Sequence, residues 1–225
     1  MSPPGRPKGE RRSAPRGGSP PDGRADRVHA SRDANVRPRR PSASLPHEVR
    51  IIGGQWKRSK LPVTDKPGLR PTPERVRETL FNWLGQDLSG WRVLDAFAGS
   101  GALGFEAASR GAAEAVLLEH DGDIAAGLRE VGRRLQAQAV RVETTDALAW
   151  MARCEAARFD LVLLDPPFGR GIPQGLLDAA ARLVAPGGWL YLEASVRCMS
   201  CPAGFEMYRH TAVGAVHAHL LHRTG

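Results

Sequence analysis

The chain has 225 residues, 41% of them hydrophobic, enough for one domain with a sizeable core. Its formal net charge of +8 is unevenly placed: residues 1–45 hold 11 Lys/Arg against 4 Asp/Glu, residues 46–80 hold 8 against 4, and residues 81–225 hold 13 against 16. Three cysteines exclude a disulfide framework, and no apolar run approaches membrane-spanning length, so a cytoplasmic protein is expected.

In chain order, residues 1–45 carry eight prolines and no aromatics, which predicts a disordered basic tail. It has no apolar stretch of signal-peptide length. Its charge suits encounter with RNA, or mere solubility. Residues 49–64 alternate apolar and polar around Gly53-Gly54, predicting a small hairpin that carries Lys57, Arg58 and Lys60. Thr72 and Pro73 read as N-cap and first turn of a helix with the stripe Val76, Leu80, Phe81, Leu84, ending at Gly85. Beyond Trp91, short apolar strands near 91–95, 114–119, 139–143, 159–164 and 187–194 alternate with helical patterns near 102–110, 122–136, 145–156 and 173–184. Strands near 204–211 and 214–223 would close the chain as an antiparallel hairpin. Alternation of this kind predicts an α/β fold, a mostly parallel sheet with helices on both faces. The layout expected is a tail (1–45), a hairpin and helix (46–85) and an α/β domain (86–225).

Two motifs carry chemistry. In the first, the strand Trp91-Arg92-Val93-Leu94 ends in Asp95, and Gly99 to Gly104 spell G-x-G-x-x-G. Glu119 follows about 20 residues on, the spacing of a ribose-binding acid. A dinucleotide would bring a pyrophosphate to the helix N-terminus, where a carboxylate at the strand end repels it. Asp95 instead suits an ammonium group, such as that of S-adenosylmethionine. In the second, Leu161-Val162-Leu163-Leu164 ends in Asp165-Pro166-Pro167-Phe168. The Asp165 carboxylate and the Pro166 carbonyl are acceptors for the two hydrogens of a flat exocyclic amine. Pro166 and Pro167 fix φ and donate nothing, and Phe168 offers a face for an unstacked base. A strand end with a proline turn is the plainer reading of the same residues. Asp95, Glu119, Asp146 and Asp165 all fall at or just beyond strand C-terminal ends, where ligands gather in such sheets.

These motifs resemble the class I S-adenosylmethionine-dependent methyltransferases that act on exocyclic amines. The stretches Arg50-Ile-Ile-Gly-Gly-Gln-Trp-Lys and Leu69-Arg70-Pro71-Thr72-Pro73-Glu74-Arg75-Val76-Arg77-Glu78-Thr79-Leu80-Phe81-Asn82-Trp83-Leu84 are similar, more narrowly, to the bacterial small-subunit (16S) rRNA guanine-N2 methyltransferases. The resemblance runs from about Arg50 to Arg223. It implies a Rossmann-like class I fold with a seven-stranded sheet, an antiparallel terminal hairpin and an N-terminal hairpin-and-helix extension. It implies S-adenosylmethionine as cofactor, held by Asp95 and the backbone of Phe97, Ala98, Gly99, Ser100 and Gly101, with Glu119 on the ribose and Asp146 and Ala147 near the adenine. Helix capping is an equal alternative for Asp146. Asp165, Pro166, Pro167 and Phe168 would bind the target guanine. Lys57, Arg58, Lys60 and Arg70 would contact rRNA, free or in an assembling subunit, with the protein acting as a monomer. Competing readings are an adenine-N6 or cytosine-N4 methyltransferase, a non-catalytic RNA-binding protein of this fold, and a nicotinamide-dependent oxidoreductase.

No metal site is expected. Cys198-Met199-Ser200-Cys201 lacks a second ligand pair and reads as a loop before Pro202. His217 and His219 would share one strand face as surface or partly buried side chains.

Overall fold

The structure, a computed structural model, describes residues 48–63, 72–167, 172 and 175–225. The basic tail, Arg70 and Phe168 therefore lie outside the described residues. Strands β1 (Glu48–Arg50) and β2 (Lys60–Pro62) form an antiparallel pair in which Val49 opposite Leu61 turns inward and their neighbours stay exposed. Helix α1 (Glu74–Trp83) buries Val76, Leu80 and Phe81, as the stripe predicts, and Arg77 with them.

The remaining elements alternate: β3 (Arg92–Asp95), α2 (Ala102–Ser109), β4 (Glu114–Glu119), α3 (Gly122–Arg134), β5 (Val140–Thr144), α4 (Ala147–Arg153), β6 (Phe159–Leu164), α5 (Leu176–Leu183), β7 (Val184–Ala194), β8 (Phe205–Val213) and β9 (Val216–Arg223). The sheet order is β5-β4-β3-β6-β7-β9-β8, parallel except for the pairings of β9 with β7 and β8. The chain winds outward from β3 in one direction, then returns beside it as β6. The β3/β6 boundary is thus the switch point, where a crevice opens beyond the strand ends.

Two expectations about the elements need correction. Strand β7 begins at Val184 and not at 187: Val184 pairs with Phe159 and Trp189 with Leu161, so residues 185–188, including Pro186, bulge out of the ladder. Thr72 does not cap α1. The N-cap is Pro73, without a side-chain bond, and its carbonyl accepts the Val76 and Arg77 amides.

The hairpin is fastened to the α/β domain through a buried carboxylate. Glu106 on α2 is fully buried and accepts from the Ile52 and Gly53 amides (2.7 Å each). It also accepts from Arg110 Nε (2.9 Å) and Nη2 (2.7 Å), and from Arg77 Nη1 (3.5 Å). Arg77 donates in turn to the Arg50 carbonyl (2.9 Å), and Arg110 stacks over Phe81, 4.7 Å from its centroid. Gly54 makes the approach possible: its φ is +74°, and a Cβ there would stand 1.8 Å from the Ser109 carbonyl oxygen.

On the far edge, His219 is buried and not superficial. Its Nε2 accepts from the Cys198 amide (2.9 Å) and its Nδ1–H donates to the Leu192 carbonyl (3.2 Å), which specifies a neutral imidazole. The cysteines are free thiols, and no helix among the described residues is long and apolar enough to cross a membrane.

Candidate active site

Register places four carboxyl groups side by side. Asp95 pairs with Leu117 on β4 and with Leu163 on β6, and Leu163 pairs with Tyr191 on β7. Two residues further along each neighbour come Glu119, Asp165 and Glu193. A step of two keeps the face, so all four point to the side covered by α1 and α2. The order across the crevice is Glu119, Asp95, Asp165, Glu193. Asp95 and Asp165, 70 positions apart in the chain, lie within each other's field.

Asp95 is 1% exposed, and its Oδ2 accepts the Gly104 amide at 2.9 Å. Its Oδ1 is buried without a hydrogen-bond partner among the described residues. Burial, reinforced by Asp165 and Glu119, pushes its pKa up to about 7 against the bonds from the Gly104 and Phe97 amides. The glycine loop hangs from β4: the Ala98 amide donates to the Leu118 carbonyl (2.9 Å) and the Gly99 amide to Glu119 Oε2 (3.0 Å). Gly101 ends the turn at φ +75°, where a Cβ would strike Leu128 and Phe105 within 2.8 Å.

Gly104 is needed for space. A Cβ there would lie 2.6 Å from Leu117 Cδ1 and 3.0 Å from Asp95 Oδ2. Gly104→Ala is expected to cost about 1–3 kcal/mol by overpacking. Urea denaturation checks this; an unchanged midpoint would show that α2 yields freely.

Glu119 is 6% exposed, and both its oxygens already accept amides, Gly99 on Oε2 and Asp121 (2.9 Å) on Oε1. Oε1 also meets His120 Nδ1 at 3.0 Å, so Oε2 is the oxygen that keeps a lone pair for a hydroxyl. Asp146 caps α4, its Oδ1 accepting the Ala149 amide at 2.8 Å, and Ala147 packs into the core. The Thr145 amide donates to the Glu119 carbonyl (2.9 Å), which brings Asp146 to the crevice rim.

Asp165 is half-buried, followed by a buried Pro166 and an exposed Pro167. Thr72 Oγ1 donates to Asp165 Oδ2 at 2.7 Å across 93 positions of chain. Desolvation pushes the Asp165 pKa to about 6, opposed by the Thr72 bond. Beside it, Glu193 is 1% exposed; its Oε1 accepts from the Tyr191 hydroxyl (2.9 Å), and its Oε2 has no partner among the described residues. Burial, then the neighbouring Asp165, push its pKa to about 9. Sequence reasoning missed Glu193 and gave Thr72 the wrong partner. The available signal was the one used for Asp95: an acid at the end of an apolar strand, here Trp189-Leu190-Tyr191-Leu192.

Three carboxyls with pKa values raised above the ordinary 3.8 to 4.5 set the sign of a stability profile. The folded state holds more protons than the unfolded, so their contribution is complete below about pH 4 and is lost as pH rises through 6 to 9. The melting temperature is expected to fall between pH 5 and 9, and Glu193→Gln to flatten the alkaline part. Scanning calorimetry of both proteins tests this; parallel profiles would contradict it.

Lys57 and Arg58 are exposed in the turn between β1 and β2. Lys60 is engaged with Glu48 at 2.7 Å.

The family described as "Conserved hypothetical protein 95" matches residues 49–222. Ribosomal RNA small subunit methyltransferase D of Escherichia coli K12 is 42% identical over 193 residues, covering 82% of this chain and 95% of that protein. The chain belongs to this methyltransferase family. The Haemophilus influenzae protein of the same name is 42% identical over 146 residues, covering 64% and 74%. Among solved structures, the yhhF protein of Escherichia coli superposes with a TM-score of 0.71 at 38% identity, over 79% of this chain and 98% of that one. The Thermus thermophilus 16S rRNA N2 G1207 methyltransferase, solved with AdoMet and guanosine, gives 0.57 at 25% identity, over 79% and 50%. The fold is that of the class I methyltransferases.

Proposed function

We propose that this protein is an S-adenosylmethionine-dependent rRNA methyltransferase that modifies the exocyclic N2 amine of a guanine in small-subunit (16S) rRNA. The observation that carries the reading is Asp165: an acceptor fixed by Thr72, preceding two prolines, at the switch-point crevice beside Asp95. The names of the relatives supply the substrate class.

The residues fit the cofactor. The buried, unpartnered Asp95 Oδ1 lacks what an ammonium group provides, whereas a pyrophosphate would add charge of the same sign. Asp95 and the backbone of residues 97–101 would hold the amino-acid end, Glu119 the ribose hydroxyls, and the Asp146 segment the adenine edge. When bound, S-adenosylmethionine supplies a sulfonium-borne methyl group as electrophile.

The protein's work is alignment and charge stabilisation. Asp165 and the Pro166 carbonyl would accept the two N2 hydrogens and turn the nitrogen lone pair toward the side of the crevice that would hold the cofactor. Positive charge would grow on N2 as it takes up the methyl group. The Asp165 carboxylate stabilises it, and one N2 proton then leaves to water. Phe168 would stack on the base, and Lys57, Arg58, Lys60 and Arg70 would meet the RNA backbone.

The deciding experiment is mass mapping of modified nucleosides in small-subunit rRNA from cells with and without the gene. Loss of one N2-methylguanosine is expected. An unchanged map, or loss of an N6-methyladenosine, would overturn the guanine assignment. Offering naked 16S rRNA and partly assembled subunits in vitro identifies the form used.

A further inference from the structure

Glu193 is absent from the mechanism above, yet it stands next to Asp165. Leu164 pairs with Leu192, so the residues that follow, Asp165 and Glu193, emerge from adjacent strands about 4.8 Å apart and on one face. The groups acting on the Glu193 carboxyl are Asp165 from beyond β6, Tyr191 from its own strand, Thr72 from ahead of α1, and Asp95 from β3. On its other side β9 presents Ala218. All the ionisable groups in that set are acids. Two carboxyl groups so placed cannot both ionise without cost, and one retains a proton.

Burial and hydrogen bonding decide which. Asp165 reaches the surface in part, and its Oδ2 accepts the Thr72 proton. Glu193 is 1% exposed, and its Oε2 is without a partner among the described residues. A hydroxyl has one proton, and that of Thr72 is committed to Asp165; its lone pairs remain free to accept. A hydrogen bond between Glu193 and Thr72 can therefore run one way only, with Glu193 as donor.

We propose that Glu193 is a positioning residue for methyl transfer: it retains a proton, donates toward Thr72 Oγ1, and so commits the Thr72 hydroxyl to Asp165, leaving Asp165 Oδ1 for the target amine. The inference deepens the methyltransferase reading and rests on it. Ionisation of Glu193 leaves Thr72 with two acceptors and a single proton, and Asp165 loses its orientation. The relay thus builds an alkaline limit into catalysis.

The test compares Glu193→Gln, Glu193→Ala and Thr72→Val with wild type, using the full chain and its rRNA substrate. Glutamine keeps a neutral donor, so Glu193→Gln is expected to hold kcat within about fivefold of wild type and to abolish the alkaline fall in rate. Glu193→Ala and Thr72→Val are each expected to lower kcat about 10- to 100-fold, the double variant losing no more than either alone. KM for S-adenosylmethionine should stay within about twofold in all three. Additive losses, or the same alkaline limb in Glu193→Gln, overturn the proposal. Carboxyl-carbon NMR reads the proton without turnover: Glu193 protonated and Asp165 ionised at neutral pH supports the relay, and the reverse refutes it. A wild type that binds S-adenosylmethionine but leaves rRNA unmodified overturns the substrate reading alone.

Discussion

Asp165→Ala is expected to lower kcat by about a hundred- to a thousand-fold while the Kd for S-adenosylmethionine stays within about twofold. The asymmetry follows from position. Asp165 lies beyond β6, and in the proposed mechanism its charge acts when positive charge appears on the attacking nitrogen. Removing one such preorganised acceptor costs roughly 3–4 kcal/mol of transition-state stabilisation. Asp165→Asn retains an oxygen acceptor without the charge, and its rate should fall between the two. The wild-type rate should also drop as pH falls through about 6, where burial has placed the Asp165 pKa, because the protonated acid no longer stabilises the charge. Single-turnover kinetics and calorimetry separate these effects. Equal losses in rate and cofactor affinity would assign Asp165 to the scaffold.

Glu106→Ala is expected to destabilise the fold by about 3–5 kcal/mol, the cost of leaving buried charge without its partner. Arg77 and Arg110 are 1% and 6% exposed in their side chains and share this one fully buried carboxylate. The Ile52 and Gly53 amides lose their acceptor at the same time. For a chain of this length the melting temperature should drop by roughly 6–20 °C. Asp160→Ala is the control: its bidentate pair with Arg92 is partly exposed (31% and 44%), and its loss should cost under about 1 kcal/mol. Hydrogen exchange should show the Ile52 and Gly53 amides losing protection in the Glu106 variant. A loss no larger than that of the Asp160 control would mean the two arginines find water when Glu106 is gone.

The placement of Asp95, Glu119 and Asp165 at strand ends was legible because each closes an apolar run before a turn, a signal contained in a few consecutive residues. Gly101 and Gly104 were legible as a fingerprint, though their reasons differ: one needs a left-handed φ, the other needs room beside Leu117. Thr72 was misread because a hydroxyl before Pro73 looks like a cap, while its partner comes 93 positions later. Glu106, inside an alanine-rich helix, gave no sign that two distant segments, the hairpin turn and α1, converge on it. Arg77 was left out of the helical stripe that it in fact joins.

Element order, the alternation of strand and helix, and the acids at strand ends are properties of the chain alone, since periodicity and turn chemistry act between near neighbours. Tertiary structure decided which of those acids stand together and which are drawn furthest from water. Strand register sets Asp165 against Glu193, and withdrawal from water multiplies a repulsion that solvent would otherwise screen.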